Sequence, residues 1–421
     1  MKRFLCFFAI FVFIVKEPFG LYLILGNYYK LIYGILFLVV LGFLSRIRRQ
    51  DMNKYISTYL YLFFLIVIVA LLSSIISMGS DLVALFQFIS SVLLFFIIYI
   101  LVIKIDDIKI ILNSLNAFAL LISFCCLLTF FLLAHQITIF PTIKLFLPNA
   151  PDGVEFLFPL SFLHNGFSEG LKNYRSYGYF TEPAGLAFFI TPYIFYNFLH
   201  YKAFNNKKYL VYSLLMILIL LSTLSVAGVG AFILSSFIYL VLFSNKRTQL
   251  AYLLVGLIIA LYFGSDLILL QDNQIYARRL MAISNRFIEW EAFFVRINEE
   301  IFGYGIGSQF DPVYIYDVVS NTVKDISGAT NILRFVQDFG FPFFVPLIFL
   351  FLYVASIIRH LMSFREMLVA RVLLMQLISS AIFFVSINLV FSPIFLLYLV
   401  LSVRFVTTQS VIPPQINKGK K

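Results

Sequence analysis

The chain is a succession of apolar stretches, most of them about twenty residues long, separated by short polar segments. A helix needs about twenty apolar residues to cross the hydrocarbon of a bilayer. The strands of a membrane barrel are about half as long and alternate polar with apolar residues. The sequence therefore predicts an all-α polytopic membrane protein. About twelve spans are predicted, at residues 4–25, 28–44, 55–77, 82–103, 111–134, 182–201, 208–224, 226–243, 250–268, 340–358, 367–386 and 390–406.

The composition supports one integral membrane domain over residues 1–421. Hydrophobic residues make up 62% of the chain and charged residues only 12%, compared with about 25% charged residues in soluble domains. The net charge of +11 would suggest a nucleic-acid partner in a soluble protein. Here most basic residues lie in short loops between apolar stretches, where they set the orientation of the spans. No nucleic-acid partner is predicted.

The positions of lysine and arginine predict the orientation of the chain. With the N-terminus in the cytoplasm, the short cytoplasmic segments hold most of the basic residues, as short cytoplasmic loops do in membrane proteins. Both termini are therefore expected in the cytoplasm. The first predicted span, 4–25, is interrupted by Lys16-Glu17-Pro18. We expect Pro18 to kink this span, because no small-residue cleavage site of a signal peptide follows it.

Two long loops, residues 135–181 and 269–339, face outward in this topology, and every other loop is short. Long loops are usually functional or disordered. These two are rich in Phe, Tyr, Leu and Ile, which predicts packing against the membrane surface. Residues 277–299 carry an apolar pattern at helical spacing, which predicts an interfacial helix. Its apolar positions are Leu280, Ile283, Phe287, Trp290 and Phe294.

Several arginines lie in the outward loops and are candidates for binding a phosphate. A guanidinium group binds phosphate through paired hydrogen bonds and keeps its charge in a low dielectric. Snorkelling toward lipid headgroups and pairing with carboxylates are the alternative roles. For Arg334, a structural pair with Asp338 four residues later is expected. The outward arginines are Arg175, Arg278, Arg279, Arg286, Arg296 and Arg334.

Glu182 stands directly before Pro183, where a membrane helix is predicted to begin. An acidic residue there complements the helix dipole, and proline fits the first helical turn. Alternatively, a carboxylate at the membrane edge can have a raised pKa and act as a general base. His164, within the first outward loop, is the second candidate base or an ordinary exposed histidine.

The segment Gly303-Tyr-Gly305-Ile-Gly307 is rich in glycine but follows no predicted strand, so it does not match a dinucleotide-binding fingerprint. It is either a tight turn near the membrane or a close approach of the backbone to a ligand. The sequence contains no P-loop, its four histidines have no ligand spacing, and its three cysteines lie in apolar segments. No metal and no cofactor are predicted.

Three motifs resemble those of the bacterial O-antigen polymerases and, more distantly, of the O-antigen ligases. RSYGYFTEP, residues 175–183, is similar to a signature at the end of the first large loop of that family. RFIEW, residues 286–290, followed by IFGYGIG, residues 301–307, is similar to motifs of the second loop. NIL, residues 331–333, with DFG, residues 338–340, resembles the return to the membrane. The resemblance covers most of the chain.

The resemblance implies a fold like that of the GT-C glycosyltransferases and a metal-independent transferase that acts on an oligosaccharide linked to undecaprenyl pyrophosphate. The growing glycan would leave its carrier and join a new repeat unit. The resemblance assigns catalysis to Glu182, Arg175 and Arg286. It assigns substrate binding to Arg296, Arg278, Arg279, Tyr179, Asn331, Gly305 and Gly307.

One departure from the family concerns the base. In the ligases a histidine stands just before the asparagine that Asn331 matches, but here Ala329 and Thr330 occupy those positions. The polymerases are therefore favoured over the ligases, and Glu182 is the first choice of base. A second departure is the spacing from Arg175 to Gly185, which is one residue shorter than the ten-residue gap between Arg296 and Gly307.

The resemblance also implies a location and partners. The protein would lie in the bacterial inner membrane with its active site facing the periplasm, and a chain-length regulator and a flippase would be its partners. The product would be an O-antigen or a capsular polysaccharide. A flippase or other transporter of the lipid-linked oligosaccharide is the main alternative function, and an O-antigen ligase is another.

Overall fold

The computed structural model describes most of the predicted helical bundle and parts of both long loops. The described residues are 54–77, 81–103, 107–134, 142–147, 150–157, 161–166, 173–178, 183–223, 225–243, 291–306, 313–317, 322–326, 332–383 and 391–411, with single positions 34, 38, 105, 180 and 288.

Helices account for most of the described residues. They are α1 (Lys54–Ser77), α2 (Leu82–Ile103), α3 (Ile108–Ala134), α4 (Pro183–Phe204), α5 (Lys207–Ser222), α6 (Val226–Phe243), α7 (291–299), α8 (Ile332–Phe339), α9 (Phe344–Ser363), α10 (Leu368–Phe383) and α11 (Pro393–Val411). A short 3-10 helix, Phe341–Phe343, leads into α9.

Nine of the predicted spans are helices in the described part of the chain, and their bounds lie within a few residues of the prediction. The predicted spans at 4–25, 28–44 and 250–268 lie outside the described residues. Among the described residues, four helical stretches are long and apolar enough to cross a membrane: Lys54–Ser77, Ala84–Ile103, Ile108–Thr129 and Phe341–Ser363. These apolar helices indicate a membrane protein.

The described part of the chain is mostly helical, as predicted, but the prediction of an all-α protein did not include the strands that both long loops contain. β1 (Thr142–Leu147), β2 (Ala150–Leu157), β3 (Ser161–Gly166) and β4 (Asn173–Gly178) form an antiparallel sheet in that order. β5 (Val313–Asp317) and β6 (Thr322–Ile326) form a hairpin in the second loop. The segments TIKLFL and VYIYD are rich in β-branched and aromatic residues, which favour strands. A sheet with open edges is compatible with a loop because water can satisfy the edges outside the hydrocarbon.

The interior of the bundle is formed by α2, α4, α10 and α11. Every residue of α11 from Pro393 to Val403 is buried, and so is every residue of α4 from Gly185 to Asn197. In contrast, the apolar window of α1 is only 22% buried. A helix that is apolar on all sides and exposed on one of them can face only lipid in a membrane protein. We conclude that α1 lies at the periphery.

Two polar pairs connect the buried helices. The side-chain amides of Asn116 in α3 and Asn197 in α4 bond reciprocally, at 2.7 Å and 3.3 Å. The hydroxyl of Tyr398 in α11 donates to the hydroxyl of Tyr193 in α4 at 2.9 Å. Such bonds between helices hold a membrane bundle together where the hydrophobic effect contributes little. α4 is therefore joined by polar contacts to helices on two sides.

Both long loops attach to the same end of the bundle, which we call the loop end. The sheet of the first loop packs against α3, α4 and α5 through β3 and β4. In the second loop, the carbonyl of Ile306 accepts a hydrogen bond from the backbone N–H of Asp81, directly before α2. Because short connections make α1, α2 and α3 alternate in direction, the start of α2 and the end of α3 lie at one end.

At the loop end, α4 and α6 cross at a glycine. A Cβ atom added to Gly228 would lie 2.3 Å from the Cβ atom of Ala187 in α4. For Gly230, two residues later in α6, no atom of the described residues lies within 4 Å of the corresponding Cβ position. The α4–α6 crossing thus depends on the missing side chain of Gly228 and not on that of Gly230.

Gly228→Ala should lower the stability of the bundle by about 1–3 kcal/mol, because the added methyl group overpacks the α4–α6 crossing. The matched control Gly230→Ala should leave the stability unchanged or raise it by up to about 1 kcal/mol through helix propensity. The measurement is the midpoint of thermal unfolding of the purified proteins in detergent. Equal midpoints for the two variants would contradict the close crossing.

Candidate functional site

Two backbone segments of the second loop bond directly to each other at the loop end. The N–H groups of Tyr304 and Gly305 donate to the carbonyls of Gln337 and Asp338, at 3.0 Å and 2.9 Å. In the reverse direction, the N–H of Phe341 donates to the carbonyl of Ile301 at 2.7 Å. We call this paired arrangement of residues 301–306 and 337–341 the glycine interlock. It joins the chain that follows α7 to the chain that enters α9.

Two glycines make the close approach possible. Gly303 and Gly340 have φ angles of +84° and +79°, values that residues with a side chain rarely adopt. A Cβ atom on Gly303 would lie 2.4 Å from the backbone nitrogen of Gly340. A Cβ atom on Gly340 would lie 2.2 Å from the carbonyl carbon of Phe302. Each glycine therefore leaves room for the backbone that carries the other.

The glycine interlock is fixed to the bundle through α1 and α2. The hydroxyl of Ser73 in α1 donates to the carbonyl of Phe302 at 2.7 Å and lies 3.2 Å from the carbonyl of Asp338. Ser73 is 3% exposed, so these bonds are shielded from water. The N–H of Asp81 donates to the carbonyl of Ile306 at 2.8 Å. Helix α1 thus contacts both segments of the glycine interlock through Ser73. Asp81, directly before α2, contacts the segment 301–306.

An aromatic cluster lies beneath the glycine interlock. Phe88 of α2 contacts three phenylalanines of the second loop's return, Phe335, Phe339 and Phe343, with ring centroids 4.6–6.1 Å apart. It also contacts Phe391 before α11, at 5.7 Å. Aromatic pairs at these separations add about 0.5–1.5 kcal/mol each beyond their area burial. The return segment is therefore anchored in the bundle by apolar packing as well as by backbone hydrogen bonds.

Arg296 lies in the last turn of α7 and is only 2% exposed. A cation in that position is favoured by the helix dipole. The backbone carbonyl of Arg296 accepts hydrogen bonds from the N–H of Glu300 and the hydroxyl of Tyr304, at 3.0 Å and 3.4 Å. Helix α7 is accordingly tied to the glycine interlock. Residues 291–299 are helical, as predicted, and Phe294 is 56% exposed. The interfacial location of this helix stays a prediction.

Tyr304 connects the glycine interlock to an acidic side chain of α7. Its hydroxyl lies 3.0 Å from a carboxylate oxygen of Glu299 and donates to it. Burial raises the pKa of Tyr304 to about 12, and the hydrogen bond to Glu299 acts in the same direction. The tyrosine is thus a hydrogen-bond donor throughout the physiological pH range.

The described part of the glycine-rich segment, residues 303–306, forms a tight turn, which is one of the two interpretations given above. The close approach that its glycines permit, between Gly303 and Gly340, is to backbone of the same chain. Gly305, a predicted substrate-binding residue, has a φ of +88° and donates to the carbonyl of Asp338. Gly305 directly follows Tyr304, whose hydroxyl lies 3.4 Å from the backbone carbonyl oxygen of Arg296. A substrate-binding role for Arg296 and Gly305 stays a prediction.

In the first loop, the structure places Arg175 in β4 directly opposite His164 in β3. The register of the two strands shifts between Phe162 and Leu163, one residue before His164. A bulge of this kind re-aims the residues beside it and is common next to active sites. The backbone thus sets the arginine beside the second candidate base, which the sequence alone could not show.

The other predicted site residues lie outside the described part of the chain. They are Glu182, Tyr179, Arg278, Arg279, Arg286, Asn331 and Gly307. The predicted pairing of Arg334 with Asp338 also involves a side chain that is not described. Pro183, next to Glu182, is the first residue of α4, as predicted.

Sequence reasoning missed Ser73 and Gly340 as determinants of this site. Ser73 is separated from its partners Phe302 and Asp338 by 229 and 265 residues. No local pattern marks such a pairing. Gly340 had a usable signal, since a glycine directly before Phe-Pro-Phe at a predicted helix start is a position where φ is often positive.

Comparisons with protein-family profiles, with curated proteins and with solved structures gave no match.

Gly303→Ala and Gly340→Ala should each lower stability by on the order of 3 kcal/mol, because each combines a positive φ with a clash against backbone. The double variant should cost less than the sum of the two, since either methyl group alone already separates the segments. Thermal unfolding in detergent measures both effects, with Gly230→Ala as the control. Additive losses would show that the two glycines do not meet.

Tyr304→Phe should change the alkaline limb of the stability profile. The raised pKa means that the folded protein holds the phenol proton more tightly than the unfolded chain, whose tyrosine pKa is 10.0. This stabilising contribution is complete below about pH 10 and is lost as the pH rises toward about 12. The variant should therefore lose less stability over that interval than the native protein.

The measurement is the unfolding midpoint of native and variant proteins between pH 8 and about 12. Tyr314→Phe, in β5, is a suitable control because Tyr314 is 69% exposed. If Tyr304→Phe and Tyr314→Phe give the same pH profile, burial and the hydrogen bond to Glu299 do not raise the pKa of Tyr304 in the folded protein.

Proposed function

We propose that this protein is a glycosyltransferase that polymerises oligosaccharide repeat units carried on undecaprenyl pyrophosphate. The observation that supports the proposal most is the attachment of both motif-bearing loops to one end of a helical membrane bundle. β4 carries Arg175, and the glycine interlock carries the second family-like motif at that same end. A lipid-linked substrate would reach such a site from the membrane surface.

The reaction is a single displacement at an anomeric carbon. The bond between that carbon and the pyrophosphate oxygen of one glycan breaks, and the electron pair leaves with undecaprenyl pyrophosphate. A bond forms between the carbon and a hydroxyl oxygen at the non-reducing end of the next repeat unit, and the base takes the hydroxyl proton. Inversion at the anomeric carbon is the expected stereochemistry.

Arginines suit the leaving group in this reaction. Negative charge develops on the pyrophosphate as the bond breaks, and preorganised guanidinium groups stabilise that charge most in the transition state. We assign this role to Arg175 and Arg286 and substrate binding to Arg296. Glu182 is the proposed base. Its place directly before α4 would set it at the edge of the membrane, seven residues after Arg175.

A transporter of the same lipid-linked substrate is a second candidate. It is favoured by the polar groups inside the bundle, where Gln376 and Ser380 of α10 are fully buried and, among the described residues, their side-chain polar atoms have no hydrogen-bond partner. Polar residues within membrane spans often line a substrate pathway. An O-antigen ligase is the third candidate, and the same assay separates all three.

Arg175→Ala and Arg286→Ala should each reduce polymer formation by about 100-fold or more, the usual effect of removing one group that stabilises an oxyanion. Lipid-linked single repeat units should accumulate, because their synthesis precedes the step. The control Arg365→Ala removes a guanidinium beside the exposed Glu366 and should leave polymer length unchanged. Glycan length is measured on gels from cells that express each variant at equal level.

Purified protein in liposomes with a lipid-linked repeat unit distinguishes the functions directly. A polymerase forms longer glycan and releases undecaprenyl pyrophosphate. A transporter moves the substrate across the bilayer without a new glycosidic bond, and a ligase needs a separate lipid acceptor. Native polymer length in both arginine variants would refute the proposed arginine roles.

A further inference from the structure

At the end of the bundle opposite to the loop end, two aromatic rings stack along the last turns of α6. Tyr239 and Phe243 lie one turn apart, with ring centroids 5.0 Å from each other. Phe198 of α4 packs edge-on against Tyr239 at 5.9 Å. The rings therefore lie between the ends of neighbouring helices.

Two cations from different helices lie over these rings. The ammonium nitrogen of Lys202, in α4, is 5.9 Å from the ring centroid of Tyr239. The guanidinium carbon of Arg371, in α10, is 5.5 Å from the ring centroid of Phe243. We call Lys202, Tyr239, Phe243 and Arg371 the basic aromatic cluster. Three helix ends contribute to it, and none of its members belongs to the proposed active site.

The positive charge of the basic aromatic cluster is only partly compensated. Glu366 contacts Arg371 at 3.2 Å and Arg365 at 3.8 Å, and its side chain is 84% exposed. Among the described residues, no carboxylate lies within 4.0 Å of Lys202. One exposed carboxylate thus faces two arginines, and the lysine charge remains. A membrane protein that retains such charge at a helix end attracts anionic headgroups.

Tyr239 provides a second observation. The residue is 6% exposed, and no hydrogen bond joins its hydroxyl to another described residue. The hydroxyl itself is not fully buried. A phenol hydroxyl that is not fully buried can bond to water or to a lipid headgroup. This hydroxyl belongs to the ring on which Lys202 lies. It is therefore suited to donate to an acceptor that the lysine also attracts.

We propose that the basic aromatic cluster binds the phosphate group of an anionic phospholipid in the adjoining membrane leaflet. Lysine and arginine at the ends of membrane helices bind such headgroups, and the tyrosine hydroxyl supplies a further donor. The exposed apolar side chains of α6, Ile233 at 59% and Leu240 at 37%, continue from the cluster along the helix. They provide a surface for the acyl chain. The proposal does not rest on the glycan-polymerase function.

The test compares phosphatidylglycerol with phosphatidylcholine. Purified protein is mixed with vesicles of each lipid and passed through detergent, and the retained lipid is measured by native mass spectrometry together with the unfolding midpoint. The native protein should retain phosphatidylglycerol in preference and gain thermal stability from it. Lys202→Gln should weaken retention about 5-fold, and Lys202→Gln with Arg371→Gln about 25-fold, if each charge contributes as is usual near anionic lipid.

Two further variants separate binding from folding. Tyr239→Phe removes only the hydroxyl and should weaken phosphatidylglycerol retention while the unfolding midpoint without lipid stays the same. Lys208→Gln is the matched control, since Lys208 lies 5.0 Å from the ring centroid of its own neighbour Tyr209 at the same end of the bundle, so that cation and ring belong to one helix. It should retain phosphatidylglycerol as the native protein does.

Three results would overturn the proposal: equal retention of the two lipids, native retention in Lys202→Gln, or a loss of retention in Lys208→Gln as large as in Lys202→Gln. Glycerol phosphate without acyl chains provides the remaining arm. Stabilisation by it equal to that by phosphatidylglycerol would show a site for free phosphate esters and would also contradict the lipid assignment.

Discussion

Backbone N–H and C=O groups in hydrocarbon have no water to bind, and this constraint determines where each kind of structure occurs in the protein. The apolar segments of the chain are helices, in which each segment satisfies its own backbone. Strands occur only in the two long loops among the described residues. There, edges such as those of β1 and β4 can be hydrated or covered. The boundary between helix and sheet in this chain is therefore also the expected boundary between lipid and water.

The same constraint applies at the glycine interlock, where the second loop returns to the bundle. The groups paired across it belong to a turn and to a helix end, which have no partners of their own in regular structure. Direct pairing between the segments satisfies them without water. In the same way, the buried hydroxyl of Ser73 in α1 is within hydrogen-bond distance of one backbone carbonyl from each segment. Rigid attachment of this kind is what a site built on a long loop requires.

The sequence predicted the bounds of the apolar helices well, because the thickness of the bilayer determines how long such helices must be. The helix predicted at 55–77 is Lys54–Ser77, and the one predicted at 367–386 is Leu368–Phe383. Segment length and polar flanks determine both. The predicted start of α4 at the Glu-Pro pair is also confirmed, because proline at the first helical turn is a local signal.

The strands and the candidate site were harder to predict. Their residues contact partners that are distant in the sequence, and the burial of their side chains depends on how the elements pack. Only the first four residues of TIKLFL alternate polar with apolar, and within a chain so rich in apolar residues this signal is weak. Ser73 bonds to the interlock residue Phe302 across 229 positions, a pairing that no periodicity reveals. Burial of Arg296 likewise depends on how α7 docks, and the sequence indicated only that the arginine lies in an outward loop.

The segment around Arg175 and Glu182 now has a defined backbone context. It is a strand that ends at Gly178, followed by a short connection to a helix that begins at Pro183. The strand packs against α3, α4 and α5, so the position of Arg175 is set by the bundle and by its register with His164. An arginine on a strand and an acid directly before a helix are held by elements that pack on each other. If they act together on a pyrophosphate and a hydroxyl, their separation is controlled by the β4–α4 contact. Residues in that contact, such as buried Phe180, would then influence the reaction without touching the substrate.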